Sequence, residues 1–513
     1  NLEMNNNTTS VIFINNIEKN LANVTFENIT QSTTRSGDTI AGIIGYNYGN
    51  VSHVNFKDIT INASAVSNVG CISRNYGVEI TDIQLSGIEI SGNSQVGGLI
   101  GITEDGILTQ VNLENITING NNSNIGGLVG LVQNILNRSN CRHSQISGDI
   151  ITVIGKSSCG GLYGFGGAIQ SSISNVTVQG ENDVGGFTGV GAFLLQNITV
   201  DHAEVSGTVR NIGGIAGNNS NGIENSHVIN SNIAGLLPTT LYVAGLCGNG
   251  GSNTNSSGIY HSKIISTGDG VGGIAGLGNG GSITKAAVQD CAIMGNNYVG
   301  GVLGMTNGQL GRAITSTTVQ ATINAKGRGA GGILGYYQNA NMGLIETYQV
   351  NNCIVENSSI SASYEAGGLL GAIDVLDTDG KFNRNIIVAN VETTNDPSTA
   401  GIVVGTSDAL TTTMGSTLIY ENSQLNGEIV SDLDIIGIEE KIYVTASDLA
   451  IQSTYTNCGF STNNFDFSPL STGYYPTLIN TPGQELISLP ISTFKLSTMS
   501  LAYQMNYMRS LPQ

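Results

Sequence analysis

The sequence predicts an all-β protein. The expected fold is a right-handed parallel β-helix, or β-solenoid, of ~13 coils, about three short strands per ~28-residue coil, with terminal caps. Three observations predict it. A block reading Gly-Gly-apolar-x-Gly recurs thirteen times. Between the blocks, apolar and polar residues alternate over short runs bounded by Asn, Asp, Gly and Ser. Gly supplies 71 of 513 residues, and Gly and β-branched residues at that density strongly disfavour helix.

The block stands as Gly97-Gly98-Leu99-Ile100-Gly101 and again at 126–130, 160–164, 185–189, 213–217, 272–276, 300–304, 331–335 and 367–371. Looser copies begin at Ala41, Val69, Ala244 and Ala400. The commonest step between copies is 28 residues, and the longer steps read as loop insertions. Residues 98–127 show one unit: Leu99 and Ile100 after the glycines, Ile107, then the pairs Val111-x-Leu113 and Ile116-x-Ile118. Period-2 alternation bounded by turn residues means strand. A three-strand coil cannot bury its apolar face alone, so each must stack on the next. At ~4.8 Å per coil the rod is on the order of 60 Å long. The Gly pairs are expected to serve corners, through positive φ and close backbone approach.

The blocks Gly-Gly-Leu-Ile-Gly (97–101), Gly-Gly-Leu-Val-Gly (126–130) and Gly-Gly-Ile-Ala-Gly (213–217), followed by a turn and Ile-x-Asn as in Ile223-Glu224-Asn225, resemble the GLUG repeat. The resemblance covers roughly residues 40–405. Phe465-Asp466-Phe467 and Gly473-Tyr474-Tyr475-Pro476 are similar to the segment that closes GLUG arrays, without its usual Trp. The resemblance implies a β-solenoid in a secreted or surface protein, serving adhesion or scaffolding, with no catalytic residues to transfer. The chain divides into an N-terminal cap and first coil (1–40), the array (41–405), a C-terminal cap region that keeps strand character (406–480) and a tail (481–513). The tail holds Met499, Met505 and Met508 and reads either as a segment folded back or as an arm onto another subunit.

Charged residues are 11% and the net charge is −19. Such a chain repels nucleic acid and anionic membrane surfaces. No run of 18 apolar residues occurs, so no membrane span is expected. The start, Asn1-Leu2-Glu3, fits a mature form without its signal peptide, or an unknown true start.

N-x-Ser/Thr occurs fourteen times, at Asn6, Asn7, Asn23, Asn28, Asn50, Asn62, Asn115, Asn121, Asn137, Asn175, Asn197, Asn218, Asn255 and Asn357. That number in a weakly charged chain predicts an extracellular or cell-surface N-glycoprotein, and the competing reading is Asn- and Thr-rich coincidence with the sites empty. In Asn115-Ile116-Thr117-Ile118 alternation puts the isoleucines inside and the sequon residues outside, and 175–178 and 197–200 repeat this. Glycans there would shield the rod from lateral aggregation.

Enzymatic signatures fail one by one. None of His53, His143, His202, His227 and His261 begins HExxH, and no GxSxG occurs. Gly155-Lys156-Ser157 lacks the upstream glycine of a phosphate loop, because residue 150 is Ile. Gly276-x-Gly278-x-x-Gly281 falls inside a repeat, where a turn is expected. Asp374, Asp377 and Asp379 form the best metal candidate, but the DxDG piece lacks the later bidentate Glu of a calcium loop and reads as a polar turn. No metal and no cofactor are expected. Of the seven cysteines, Cys71 and Cys247 sit in block strands and read as buried free thiols. Cys141 and Cys159 sit where a bridge across the long 127–161 repeat is open, and an odd count excludes a complete disulfide framework.

The expectation is therefore a non-catalytic structural subunit of a glycosylated extracellular fibre or cell-surface coat, assembled head-to-tail from copies of itself through the solenoid ends. The alternative is a single-chain adhesin or carbohydrate-binding surface protein. A β-helix enzyme that cleaves polysaccharide ranks third, since Trp is absent and aromatics are only 6%.

Overall fold

The computed structural model describes residues 2–5, 11–34, 40–76, 78–104, 106–133, 142–250, 253–306, 313–337, 349–373, 381–405, 417–420, 422–429, 441–472, 474 and 476–479. Over them the chain is an all-β parallel solenoid of about 12 turns, ~29 residues each, with almost no helix. Thirteen glycine blocks bound twelve intervals, which accounts for the smaller count.

One face is a thirteen-stranded parallel sheet running from Val11–Ile17 to Leu370–Ile373, built from the strands at and after each block. The other faces join in a continuous system of thirty-three strands, because single strands such as Leu195–Gly213 run through the corner between them. Like stacks on like along the axis. Ile29, Ile59, Ile88, Ile116, Ile151 and Val176 form one column, each registered on the next. All are buried in a single core that runs from Ile17 to Ile419. Each column carries the apolar residue of the alternating pattern, so register is set by which face is buried.

The block glycines work by close approach alone. Gly97, Gly98 and Gly101 have ordinary φ, yet a Cβ on each would lie 2.1 Å from Ile100 O, 2.3 Å from Gly127 O and 2.7 Å from Asn68 C respectively. The expected positive φ is absent there. Non-glycine residues bend the chain instead, in three columns of left-handed corners. One column runs Asn23, His53, Asp82, Gln110, Gln145, Gln170, Asn197, Asn225, Ser256, Lys285, Ser316, Asn352, Arg384. A second stands about five residues later, through Asn28, Asp58, Asn115, Ile150, Asn175, His202, Asn230, His261 and Asp290. A third, including Asn68, Gln95, Asn124, Asp183 and Asn211, precedes each block. Asn and Asp tolerate this region because their side chains bond locally.

Beyond the array, parallel pairing continues from Asn385–Thr393 to Thr417–Tyr420 and Lys441–Val444. The strand character expected of 406–480 then gives way to two short helices, Ala446–Leu449 and Gln452–Asn457, and an antiparallel pair, Phe465–Asp466 with Thr477–Leu478. Thr445 caps the first helix in a capping box with Asp448. This unit buries Leu449, Tyr455, Phe460, Phe465, Phe467 and Leu478 against Ile354, Ile386 and Leu418. The next residue along each strand, Val355, Ile387 and Ile419, belongs to the solenoid core. The last coils are thus covered on both faces.

Candidate functional site

Of the fourteen sequons, Asn6, Asn7 and Asn137 lie outside the described residues, as do Asp374, Asp377, Asp379, Cys141 and the tail 481–513. Asn23, Asn28, Asn50, Asn62, Asn115, Asn121, Asn175 and Asn357 are exposed; Asn197, Asn218 and Asn255 are half-buried. Ile116 and Ile118 face the core while Asn115 is exposed. Asn115 is a left-handed corner (φ 54°) within its strand Gly106–Gly120, and Asn23, Asn28, Asn175, Asn197 and Asn357 are corners within theirs. Six of the eleven described sequon asparagines therefore stand in the first two corner columns. A signal for this existed in the sequence: Asn, Gln, Asp, Ser or His standing just before an apolar pair, twice per coil and about five residues apart.

Many corner side chains are tied to the neighbouring coil. Asn175 Nδ2 donates to Asp149 Oδ1 at 2.8 Å, Asn225 Nδ2 to Asn197 Oδ1 at 2.9 Å and Asn230 Nδ2 to Asp201 Oδ1 at 3.1 Å. The bonds from Asn175 and Ser174 hold the Asp149 carboxyl below its usual range. His261 Nδ1 lies 2.9 Å from Asp290 Oδ2 and His53 Nε2 3.4 Å from Asp82 Oδ2. These are ladders of pairs on an outer surface.

Burial governs the ionisable groups inside the protein. His143 is buried against Tyr163, with ring centroids 5.5 Å apart, and burial lowers its pKa to about 4. Cys71, Cys159, Cys247, Cys291, Cys353 and Cys458 are all buried and unbridged among the described residues. Burial raises the Cys159, Cys247, Cys291 and Cys353 thiols to about 12, and Cys71 higher still, the environment of an inert thiol. Glu356 is buried under the C-terminal unit, its Oε2 without a hydrogen-bond partner, and burial raises it to about 8. Burial first, then the Glu356 charge, raises the Tyr455 phenol.

No group of three or more His, Cys, Asp or Glu converges on a metal position among the described residues. One open depression beside Phe465 and Phe467 holds a single carboxylate, Asp466. One carboxylate alone does not make the acid–base pair that glycoside cleavage uses. Gly276 and Gly278 lie in the strand Ala275–Gly278, and the next element is the strand Ile283–Thr284 rather than a helix.

No family model and no curated protein matches the chain. Among solved structures, a protein described as a putative immunoglobulin A1 protease from Bacteroides ovatus is similar at 13% identity and TM-score 0.37, over 61% of this chain and 86% of that one. The solenoid assignment rests on the strand register itself.

Proposed function

We propose that this chain is a non-catalytic structural subunit of a glycosylated extracellular fibre or cell-surface coat, joined head-to-tail through solenoid ends. The GLUG-like repeat, the sequons along exposed corners and the lack of a convergent polar site among the described residues support that reading. One observation carries it. In the first described coil, Ile14, Leu21 and Val24 are only half-buried, whereas their partners one coil on, Ile44, Val51 and Val54, are fully buried. On the outer side of that coil, Leu2–Asn5 pairs with 29–32 alone among the described residues. One further coil would complete both the core and the ladder. Where that coil comes from a second copy, the contact is heterologous and does not close, hence a filament.

Light scattering and electron microscopy of the full chain test the proposal. Filaments with a repeat of one rod length are expected, and Leu21→Lys with Val24→Lys abolishes them while leaving the far-UV spectrum unchanged. A chain that stays monomeric at all concentrations, or a monomer that binds one sugar class on a glycan array, overturns it in favour of a single-chain adhesin.

A further inference from the structure

We infer that Asn50 carries an N-linked glycan whose first sugar packs on the exposed ring of Tyr48; the inference rests on the glycoprotein reading above. The two residues flank Gly49 in the turn between the strands Ala41–Asn47 and Val51–Asn62. Tyr48 and Asn50 are exposed while Gly49 is buried.

The turn is held rigid from within. Buried Asn47 donates Nδ2 to Gly49 O at 3.0 Å and accepts the Gly49 N–H on Oδ1 at 3.3 Å. A Cβ at Gly49 would lie 2.1 Å from Lys19 O, so the turn sits tight on the preceding coil. The Asn50 carboxamide is oriented too, because its Oδ1 accepts the Glu79 N–H at 3.3 Å. Its Nδ2 donates no hydrogen bond among the described residues, unlike that of Asn121, which donates to Ser64 O, or Asn175.

Tyr48 is 48% exposed. One ring face lies on Tyr76, centroids 4.8 Å apart and planes 7° from parallel, and Tyr76 in turn stands against Tyr46. Arg74 Nη1 donates to the Tyr76 hydroxyl at 3.2 Å. The ring is thus braced from behind with the rest open to solvent. An aromatic face attracts the slightly positive C–H edge of a pyranose as it attracts other positive edges. A sugar on Asn50, the exposed residue at the other end of the same turn, is placed within reach of it.

The chain carries its own control. Phe26-Glu27-Asn28-Ile29-Thr30 has the same order of aromatic, spacer and sequon. Phe26 is buried, stacked on Phe56 at 5.3 Å, and offers no face to a sugar on Asn28.

Attachment forms a bond from the sugar's anomeric carbon to Asn50 Nδ2 and breaks that carbon's bond to a lipid-linked pyrophosphate. The lipid pyrophosphate leaves with the bonding pair, and one Nδ2 proton passes to a base of the transferase.

The test is the full chain secreted by eukaryotic cells, with glycopeptide mapping and NMR of the sugar N-acetyl methyls. Asn50 is expected to be occupied, with its first N-acetyl methyl shifted upfield by the ring. Tyr48→Phe keeps that shift, Tyr48→Thr removes it, and the sugar on Asn28 shows none. Enzymatic removal of glycans lowers the Tm of the unmutated chain, a readout independent of any variant. Asn50 empty while other sequons are filled overturns the inference and leaves the glycoprotein reading standing. Every sequon empty overturns both, and an occupied Asn50 with no upfield shift and no Tm change overturns the platform.

Discussion

The array and the C-terminal unit bury their apolar residues by opposite means. In the array, small Ile, Val and Leu side chains stack in columns, and glycine lets backbones touch. From 444 to 479 the core is aromatic, with Tyr455, Phe460, Phe465 and Phe467 ring to ring at 5.1–6.1 Å. The array tolerates almost no volume at its glycines because its packing partner is main chain. The C-terminal unit packs side chain on side chain and has room to adjust. Repetition gives the array its rigidity, whereas the unit is a local patch held to one flank.

The largest expected effect separates these two modes. Gly127→Val puts a Cβ 2.1 Å from Gly161 O, which is main chain and cannot yield, so a loss of about 5 kcal/mol is expected in a denaturant titration. In the C-terminal unit, a Cβ at Gly459 meets only Arg384 Cδ, at 3.8 Å. Gly459→Ala is strained by its φ of 80° alone and costs about 1 kcal/mol. Equal losses at the two sites would erase the distinction.

The next effect belongs to Glu356, where the two regions meet. Its strand neighbour is Val388, and Ile354 and Tyr455 share the same buried patch. The folded pKa of about 8 exceeds the ordinary value of 4.5, so the folded state holds the proton more tightly. Stability is then full below about pH 4.5, falls as pH rises, and levels off above about pH 8, with a total loss of about 5 kcal/mol. Glu356→Gln flattens this profile. Labelling of Cys458, buried in the unit, reads the opening, and it should quicken with pH while labelling of Cys353 in the array core stays slow. A Cys458 rate that is flat across this range would break the assignment.

The smallest effect lies at a corner. Ile150 holds φ 54° and is half exposed, at a column position occupied by Asn115 one coil before and Asn175 one coil after. A β-branched residue is poorly suited to that backbone. Ile150→Asn is expected to stabilise the chain by about 1 kcal/mol, read as a raised Tm.

The solenoid was legible because two independent periods agree: the glycine block every ~28 residues and the alternation of Val111, Leu113, Ile116 and Ile118. The corners were harder to read. Positive φ is ordinarily sought at glycine, and here it falls on Asn, Gln, Asp and His, which look in a sequence like plain polar surface. The doubly covered strands left a trace in Asn385-Ile386-Ile387-Val388 and Thr417-Leu418-Ile419-Tyr420, where alternation lapses into continuous apolar runs. Such runs mark strands buried on both faces. The Thr445-x-x-Asp448 capping box was equally visible, but a helix of four residues has too little period to announce itself. Of the sequons, the sequence gives positions only. Whether an aromatic two residues upstream meets solvent, as Tyr48 does, or the core, as Phe26 does, depends on the winding.

Register repeats coil after coil, 28 residues from Ile72 to Ile100 and 29 from there to Val129, while insertions stretch other steps, as from Leu334 to Leu370. A coding duplication or excision of one whole interval therefore joins equivalent points on the winding and leaves every ladder intact. Length can change in discrete quanta of one rung's thickness while the cross-section stays the same, so descendants of such a gene would vary in reach without having to reinvent a core.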